Sequence, residues 1–183
     1  MIKADQVRAA AFDIFEQTGN PITRTNRGQQ WIVHSANGEK AILKTAAKGG
    51  LMVKAETPDN DANIIGFGAD VSHIIAAVAD GSKVTAYLIP IDVAEAAYRE
   101  SNDEWIKANP EHNPTTTWVL RFPPGRKERP GHNMADKWAK YAVGSTTVEL
   151  LPDEPKDVLE RCRADIAKAF SVDPRQVRIS VDL

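Results

Sequence analysis

The chain contains 183 residues, with 23 Lys or Arg against 25 Asp or Glu, which gives a formal charge of −2 at pH 7. This length fits one domain with at most a small appendage, and the balanced charge excludes both a strongly basic and a polyacidic chain. The single cysteine, Cys162, excludes an intramolecular disulfide and a Cys-rich structural zinc site. No apolar run approaches the roughly 18 residues of a membrane span, and the first residues lack the pattern of a secretion signal. We therefore expect a cytoplasmic protein without a membrane partner.

The first part of the chain predicts one helix followed by short strands. Apolar residues recur at helical spacing over residues 3–18, and Gly19-Asn20-Pro21 ends the helix. The period then becomes that of strands, and Asn37-Gly38 and Asp80-Gly81 are typical hairpin turns. The predicted strands cover residues 31–35, 40–45, 51–56, 71–78 and 84–91. We therefore expect residues 29–91 to form a largely antiparallel meander.

The middle of the chain continues with helices and strands. Asp92 is a suitable N-cap for a helix near residues 93–107. The apolar positions of this helix include Val93, Ala96, Ala97, Trp105 and Ile106. The elements that follow are a strand (115–122), a polar basic loop (125–133), a short helix with the apolar face Met134, Trp138, Tyr141 and Ala142, and a strand (146–151).

The last part of the chain repeats the order of helix and strand. A proline lies in the first turn of the helix, whose apolar stripe includes Cys162, and we expect that residue to be buried. Residues 177–183 alternate as in a strand. The junction at 152–155 separates a core (1–151) from an appendage (152–183). The sequence therefore predicts an α+β fold, with a central mixed, largely antiparallel sheet flanked by helices and a C-terminal helix–strand unit.

Basic residues concentrate in two segments. Residues 20–54 carry six Lys or Arg against one acid, and residues 112–140 carry six against two. The segments between them are acidic. Two basic segments can fold into one positive face, and such a face is typical of proteins that contact phosphates. The alternative is a mixed surface on which the lysines of strands face water.

Two stretches resemble a known fold family. QQWIVHSANGEKAILKT (29–45) contains a strand, a hairpin and a second strand that ends in Lys followed by Thr. GADVSHIIAAVADGSKVTAYLIPI (68–91) adds apolar strands and the sequence Tyr-Leu-Ile-Pro. Together with the first helix, this order resembles the PD-(D/E)XK nuclease-like fold, in the branch of the archaeal Holliday-junction resolvases, over about residues 5–91.

The resemblance implies a divalent metal ion held by two acids, with a lysine nearby that helps to activate water. Here the family's Glu or Gln falls on Ile42, and its Asp falls near Gln30 or Trp31, none of which supplies a carboxylate. Only Lys44 matches, and Glu16 lies where some family members place an accessory acid. The resemblance therefore implies the fold without its metal site, and we expect no metal, no other cofactor and no catalytic residue.

We expect phosphate contacts from two groups of basic residues. The first group lies on or just after one strand, where Lys40 and Lys44 share a face by the two-residue period. The second group lies in the loop before Trp138 and Tyr141, and an Arg-rich loop near the start of a helix is suited to phosphates. The candidate nucleic-acid-binding residues are Lys40, Lys44, Lys48, Arg126, Lys127 and Arg129. The alternative is that these cations are solvated and that Trp138 and Tyr141 pack their helix on the sheet.

Other residues give less specific patterns. Asp59-Asn60-Asp61 resembles the start of a calcium loop, but the glycine and glutamate that an EF-hand requires are not at their positions, so we interpret it as a solvent loop. The four histidines lack the spacing of a zinc hydrolase. His34 and His73 lie on predicted strands and can meet across the sheet, where we expect a structural role. No phosphate-binding glycine loop occurs.

The leading hypothesis is a nucleic-acid-associated binding protein built on a catalytically degenerate nuclease-like domain. One alternative is a protein-interaction module, an inhibitor or adaptor, whose surface is the acidic helix at 92–111 or the C-terminal unit. The isoelectric point near 6.1 favours that alternative. The other alternative is an active Mg²⁺-dependent nuclease whose carboxylates have moved to Glu16, Glu39 or Asp70. The resemblance also implies a homodimer.

Overall fold

The computed structural model describes most of the chain. The described residues are 2–27, 30–35, 38–65, 67, 70–122, 131–149 and 155–179. Their contacts divide the chain into two units, Ile2–Glu149 and Leu150–Leu183. The junction that the sequence predicts at 152–155 falls largely outside the described residues, so the boundary between core and appendage stays a prediction.

The larger unit contains both helices and strands. Its helices are α1 (Ala4–Gln17), α2 (Ile91–Ala108) and α3 (Met134–Lys137), and a 3-10 turn follows at Ala139–Tyr141. Its strands are β1 (Thr23–Arg27), β2 (Gln30–His34), β3 (Lys40–Ala46), β4 (Gly50–Ala55), β5 (Ile64–Ile65), β6 (His73–Asp80), β7 (Lys83–Pro90), β8 (Thr117–Arg121) and β9 (Ala142–Thr147). The smaller unit contains α4 (Pro155–Phe170) and a 3-10 turn at Pro174–Gln176.

Six strands form one sheet, in the order β1-β2-β3-β6-β7-β9. In this sheet β3 and β6 run parallel, with Ala41 opposite His73 and Ala46 opposite Val78, and the other neighbouring pairs are antiparallel. Three further strands form a second, antiparallel sheet in the order β5-β4-β8. The predicted α+β fold with a mixed, largely antiparallel sheet is therefore confirmed.

The chain does not form the single meander that the sequence predicts for residues 29–91. After β3 it leaves the first sheet, forms β4 and β5 of the second sheet, and returns as β6 beside β3. A hairpin cannot join two parallel neighbours, so a crossover is required here. The hairpin predicted at Asp80-Gly81 is present between β6 and β7, where Asp80 lies opposite Lys83 and Gly81 has a φ of 61°.

α1 covers one face of the six-stranded sheet. Its buried residues are the positions that helical spacing predicts: Val7, Ala10, Ala11, Ile14 and Phe15. They pack on alternate residues of the central strands, including Leu43 of β3, Ile75 of β6 and Ala86 of β7. At Gly144 of β9 an added Cβ would lie 3.0 Å from Cγ2 of Ile14, so this small residue lets the helix approach the sheet closely.

The second sheet and α2 cover the opposite face. Ile74 and Ala76 of β6 point to this side, whereas Ile75 points toward α1. The side chains that pack on them come from β4, α2 and β8: Leu51, Val53, Ala94, Tyr98, Trp118 and Leu120. Tyr98 is fully buried, and its hydroxyl donates a hydrogen bond of 3.2 Å to the Leu51 carbonyl, which satisfies that polar group.

α2 buries a different face from the one that its apolar residues predict. Asp92 lies inside the first turn and is not the N-cap. The buried residues are Ala94, Tyr98, Ser101 and Asn102. Ser101 is accommodated because its hydroxyl donates a hydrogen bond of 3.0 Å to the Val119 carbonyl. The side-chain amide of Asn102 donates in the same way to Oδ1 of Asn60, at 3.0 Å.

The predicted elements before Glu149 need a further correction. α3 ends at Lys137 and does not continue to Ala142, and β9 replaces the strand predicted at 146–151. β9 begins earlier because it pairs antiparallel with β7, where Thr85 lies opposite Ser145. The pairing of two strands that are distant in sequence therefore decides where this helix stops.

The smaller unit also differs from its prediction. Cys162 of α4 is exposed instead of buried, and Phe170 is 75% exposed. Within the described part of this unit, the short turn after α4 packs on the helix and covers little of the predicted apolar stripe. Residues 177–179 form no strand, and residues 180–183 of the predicted strand lie outside the described residues.

Gly131 provides a test of the packing between α2 and β8. Its φ is +64°, and an added Cβ would lie 2.8 Å from both Cβ of Ser101 and the Val119 carbonyl oxygen. We expect Gly131→Ala to lower the free energy of unfolding by about 2–4 kcal/mol, because it adds backbone strain and forces α2 away from β8. The control is Gly81→Ala, which has a φ of +61° and open space around its Cβ, and should cost only about 1–2 kcal/mol. Urea unfolding measures both, and equal losses would contradict this packing.

Candidate functional site

β3 carries two of the predicted lysines on one face. Lys44 lies opposite Ala76 of β6 and Ile42 lies opposite Ile74, on the side that the second sheet covers. Lys40 shares this side because side chains of a strand alternate with a period of two. Ile42 is buried, whereas Lys40 and Lys44 are half-buried. The result is a buried isoleucine with a lysine before and after it on the same face, which we call the β3 face (Lys40, Ile42 and Lys44).

Lys44 is a partly desolvated cation beside the core. Burial lowers the pKa of its ammonium group from the ordinary value for lysine. Among the described residues, no acid forms an ion pair with it. A desolvated charge without a counter-ion reduces stability, and such groups concentrate at functional sites. Of the predicted residues that the structure describes, Lys44 is therefore the best suited to receive an anion.

Lys40 and Lys48 have different surroundings. The Lys40 ammonium group forms an ion pair with the Asp70 carboxylate. The Lys40 carbonyl accepts hydrogen bonds from the N–H (3.0 Å) and the hydroxyl (3.2 Å) of Ser72, which ties β3 to the segment before β6. Lys48 is exposed in the turn between β3 and β4. Lys40 is thus partly neutralised, and Lys48 lies just past the end of the β3 face.

Three predicted site residues lie outside the described part of the chain: Arg126, Lys127 and Arg129. The aromatic residues after them are described. Trp138 is buried and packs edge-to-face on Phe122, with the ring centroids 5.6 Å apart. Tyr141 is half-buried against the same core, and the Lys140 ammonium group lies 4.9 Å from its ring centroid. Both aromatic side chains pack the chain on the sheet, as the alternative to a nucleic-acid contact predicts.

Tyr87 is a candidate residue that the sequence did not reveal. It lies opposite Ala76, which lies opposite Lys44, so a row across three strands joins the two residues. Strands are spaced by about 4.8 Å, which places the Cα atoms of Lys44 and Tyr87 about 10 Å apart. Burial and the nearby Asp136 carboxylate raise the pKa of the Tyr87 phenol. The alternation of β7, in which Ile89 also points inward, was the signal that could have identified it.

Tyr87 also lines a cavity at the end of the β6–β7 hairpin. The cavity has a volume of about 190 Å³. Its polar lining residues besides Tyr87 are Asp80, Lys83 and Thr85. The ring of Phe122 closes one side, with its centroid 5.4 Å from that of Tyr87. The Tyr87 side chain therefore lies between the apolar core and the polar side of this cavity.

The acids considered for a displaced metal site do not gather. Glu16 is exposed on α1, Glu39 is exposed just before β3, and Asp70 pairs with Lys40. Among the described residues, no group of three or more His, Cys, Asp or Glu side chains could hold a metal ion. The Asp59-Asn60-Asp61 segment is held to α2 by the hydrogen bond from Asn102 to Oδ1 of Asn60.

His34 and His73 do not meet across the sheet. His34 lies opposite Lys40, and His73 lies opposite Ala41, so β3 separates the two histidines. Since Lys40 and Ala41 are consecutive in a strand, the histidine side chains point to opposite faces. Nδ1 of His73 lies 2.9 Å from the hydroxyl oxygen of Ser72. The two histidines, which the sequence allows to meet, therefore do not meet.

Comparison with known proteins leaves the family of this chain open. No protein-family model and no curated protein matches it. Among solved structures, the chain is similar to the crystal structure of MepB, with 14% sequence identity and a TM-score of 0.35, over 72% of this chain and 88% of that one. A likeness of this size carries no assignment, so the resemblance to the PD-(D/E)XK fold stays a prediction. In the described residues, no helix combines the length and the apolar character that crossing a membrane requires.

The stability of Lys44→Met tests the description of this lysine. Methionine keeps the apolar stem and removes the charge, so at pH 7 we expect the Tm to rise by about 2–4 °C. The folded pKa lies below the unfolded value, so the cost of the charge is present at low pH and is lost as pH rises through the folded pKa. The difference between the two proteins should therefore shrink toward about pH 10.4.

Lys54→Met is the matched control, because Lys54 is an exposed lysine of β4. Its Tm should stay within about 2 °C of the wild-type value at every pH. A lower Tm in Lys44→Met than in Lys54→Met at pH 7 would show that the Lys44 ammonium group stabilises the fold. That result would contradict the description of Lys44 as an uncompensated charge.

Proposed function

We propose that this protein binds the phosphate backbone of nucleic acid through the β3 face. The observation that carries the proposal is Lys44, a half-buried lysine that has no acid partner among the described residues. A phosphate group supplies the missing counter-charge. Binding therefore offsets part of the free energy that burial of the ammonium group costs.

Further residues add to the β3 face in this proposal. Lys48 adds a cation past the end of β3. Three more cations, which we propose as phosphate contacts, follow β8 in the sequence: Arg126, Lys127 and Arg129. Across the sheet Tyr87 supplies a phenol, and burial and the Asp136 carboxylate raise its pKa further above neutral pH, so it carries its proton. A protonated hydroxyl donates a hydrogen bond to a phosphate oxygen.

The charge of the chain limits the strength of this binding. A formal charge of −2 gives little long-range attraction to a polyanion, so the interaction depends on local contacts. Asp70 competes with phosphate for Lys40. We therefore propose a modest affinity that is sensitive to the Asp70 charge. The proposal includes no cleavage, because Ile42 occupies the position at which the resemblance requires a Glu or Gln.

A second candidate function is the binding of a protein partner. On the outer face of the second sheet, Met52 is 61% exposed and Ile65 is 47% exposed. Lys54, two residues after Met52, lies opposite Ile65, so the two apolar side chains are close neighbours on this face. Exposed apolar neighbours favour contact with another protein. This surface suits an adaptor, an inhibitor or the homodimer that the resemblance implies, and both functions fit the predicted cytoplasmic location.

Binding to DNA tests the proposed function. A labelled duplex, a single strand and a four-way junction are titrated by fluorescence anisotropy at several salt concentrations, with and without Mg²⁺. We expect the affinity to fall with salt, and Lys44→Ala to weaken binding about tenfold and to reduce the log–log salt slope by about 1. The matched control Lys54→Ala, on the outer face of the second sheet, should change the affinity by less than about twofold.

Asp70→Asn should act in the opposite direction. This substitution releases Lys40 from its ion pair, so we expect binding to tighten by about threefold. Equal losses in Lys44→Ala and Lys54→Ala would contradict binding through the β3 face. No binding to any of the three DNAs at low salt would contradict the proposal and favour the protein partner. Cleavage with Mg²⁺ would contradict a function limited to binding.

A further inference from the structure

A further cavity lies on the α1 side of the sheet, past the end of the helix. α1 ends at Gln17, and Phe15 of its last turn and Asn20 and Ile22 beyond its end line this cavity. The cavity, which we call the α1-end cavity, has a volume of about 170 Å³. Its floor is buried and apolar, and its residues are Phe15, Val33, Ala41 and Ile75. Its sides are half-buried and also apolar: Ile22, Leu88 and Val143.

The mouth of the α1-end cavity is polar, and one acid stands there. The Ser35 N–H donates a hydrogen bond of 2.9 Å to the Glu39 carbonyl, and the Glu39 N–H donates one of 3.2 Å to the Ser35 hydroxyl. These two bonds hold the backbone of Glu39 at the mouth. Among the described residues, no cation forms an ion pair with the Glu39 carboxylate. The cavity therefore has a negative group that is available to a ligand.

The end of α1 adds to this negative potential. The Phe15 carbonyl accepts hydrogen bonds from the Asn20 N–H (2.9 Å) and from the Thr18 hydroxyl (3.1 Å), and Asn20 itself lines the cavity. The last turn of α1 thus lies at the mouth, where the helix dipole is equivalent to about half a negative charge. The described residues that line the cavity include no Lys or Arg, and His73 is the only histidine among them.

We propose that the α1-end cavity binds a small apolar amine. The hydrocarbon part would lie on the apolar floor, and the ammonium group would lie beside the Glu39 carboxylate. An engineered apolar cavity of about 150 Å³ holds benzene, so the volume here suits one aromatic ring with a short side chain. The negative mouth selects a cation over an anion of the same shape.

This inference does not depend on nucleic-acid binding. Ala41 of β3 lines the α1-end cavity, whereas Lys40 and Ile42 on either side of it belong to the β3 face. The two proposed sites therefore lie on opposite faces of the same sheet. A negative result for nucleic-acid binding therefore leaves the proposed amine site untouched, and a negative result for amine binding leaves the proposed phosphate site untouched.

The experiment compares three probes of similar shape and different charge. Phenethylamine, which is protonated at pH 7, 2-phenylethanol and 3-phenylpropionate are titrated into the whole chain, and binding is followed by NMR of the backbone amides. We expect phenethylamine to bind about tenfold more tightly than 3-phenylpropionate, and the amides of Val33, Ile75 and Leu88 to shift. Glu39→Gln should weaken phenethylamine binding about tenfold and leave 2-phenylethanol unchanged.

Two controls separate the cavity from general charge effects. Glu100→Gln removes an exposed acid of α2 and should not change the affinity for phenethylamine. Ala41→Leu fills the floor and should abolish binding of all three probes, and Val143→Phe at the side of the cavity repeats this test if Ala41→Leu fails to fold. Equal affinities for the amine and the carboxylate, shifts confined to other parts of the chain, or no effect of Glu39→Gln would overturn the proposal.

Discussion

The parallel pairing of β3 and β6 is the constraint on which the rest of the larger unit depends. Because parallel neighbours require a crossover, the chain leaves the sheet after Ala46 and returns at His73, and the intervening residues form β4 and β5. These strands, with β8, cover Ile74 and Ala76 on one face of the sheet. Lys44 lies directly opposite Ala76, so the crossover that completes the core also removes water from this lysine. The crossover thus accounts both for the packing of the second sheet on β6 and for the lowered pKa of Lys44.

β3 contributes to a different site on each face. Its even-numbered residues face the second sheet, where Lys44 has no acid partner among the described residues. Its odd-numbered residues face α1, where Leu43 packs under the helix and Ala41 lies in the floor of the α1-end cavity. The second site lies at the end of α1, because Phe15 of its last turn lines the cavity together with strand residues. A phosphate site and an amine site on the two sides would have opposite preferences for charge.

Local patterns in the sequence predicted the elements that follow from regular spacing of apolar residues or from pairing with a segment nearby in the sequence. The buried face of α1 and the strands β3, β6 and β7 follow from periodicity, and the α+β class follows from their order. The parallel pairing was not predicted, because Ala41 and His73 are distant in sequence and no local signal joins them. Ser101 of α2 was missed for the same reason, since its hydrogen-bond partner is the Val119 carbonyl. Of the site, Lys44 was predicted from a resemblance, whereas Tyr87 and the α1-end cavity depend on which faces the tertiary fold brings together.

The Lys44 ammonium group itself can be observed in solution. NMR of a protein labelled with ¹⁵N in its lysine side chains gives a separate titration for each lysine, with and without a short DNA duplex. We expect a pKa for Lys44 below the ordinary value for lysine in the free protein, and a rise toward that value in the complex, because phosphate favours the charged form. A Lys44 resonance and pKa that do not change when DNA binds would show that this half-buried lysine does not receive phosphate.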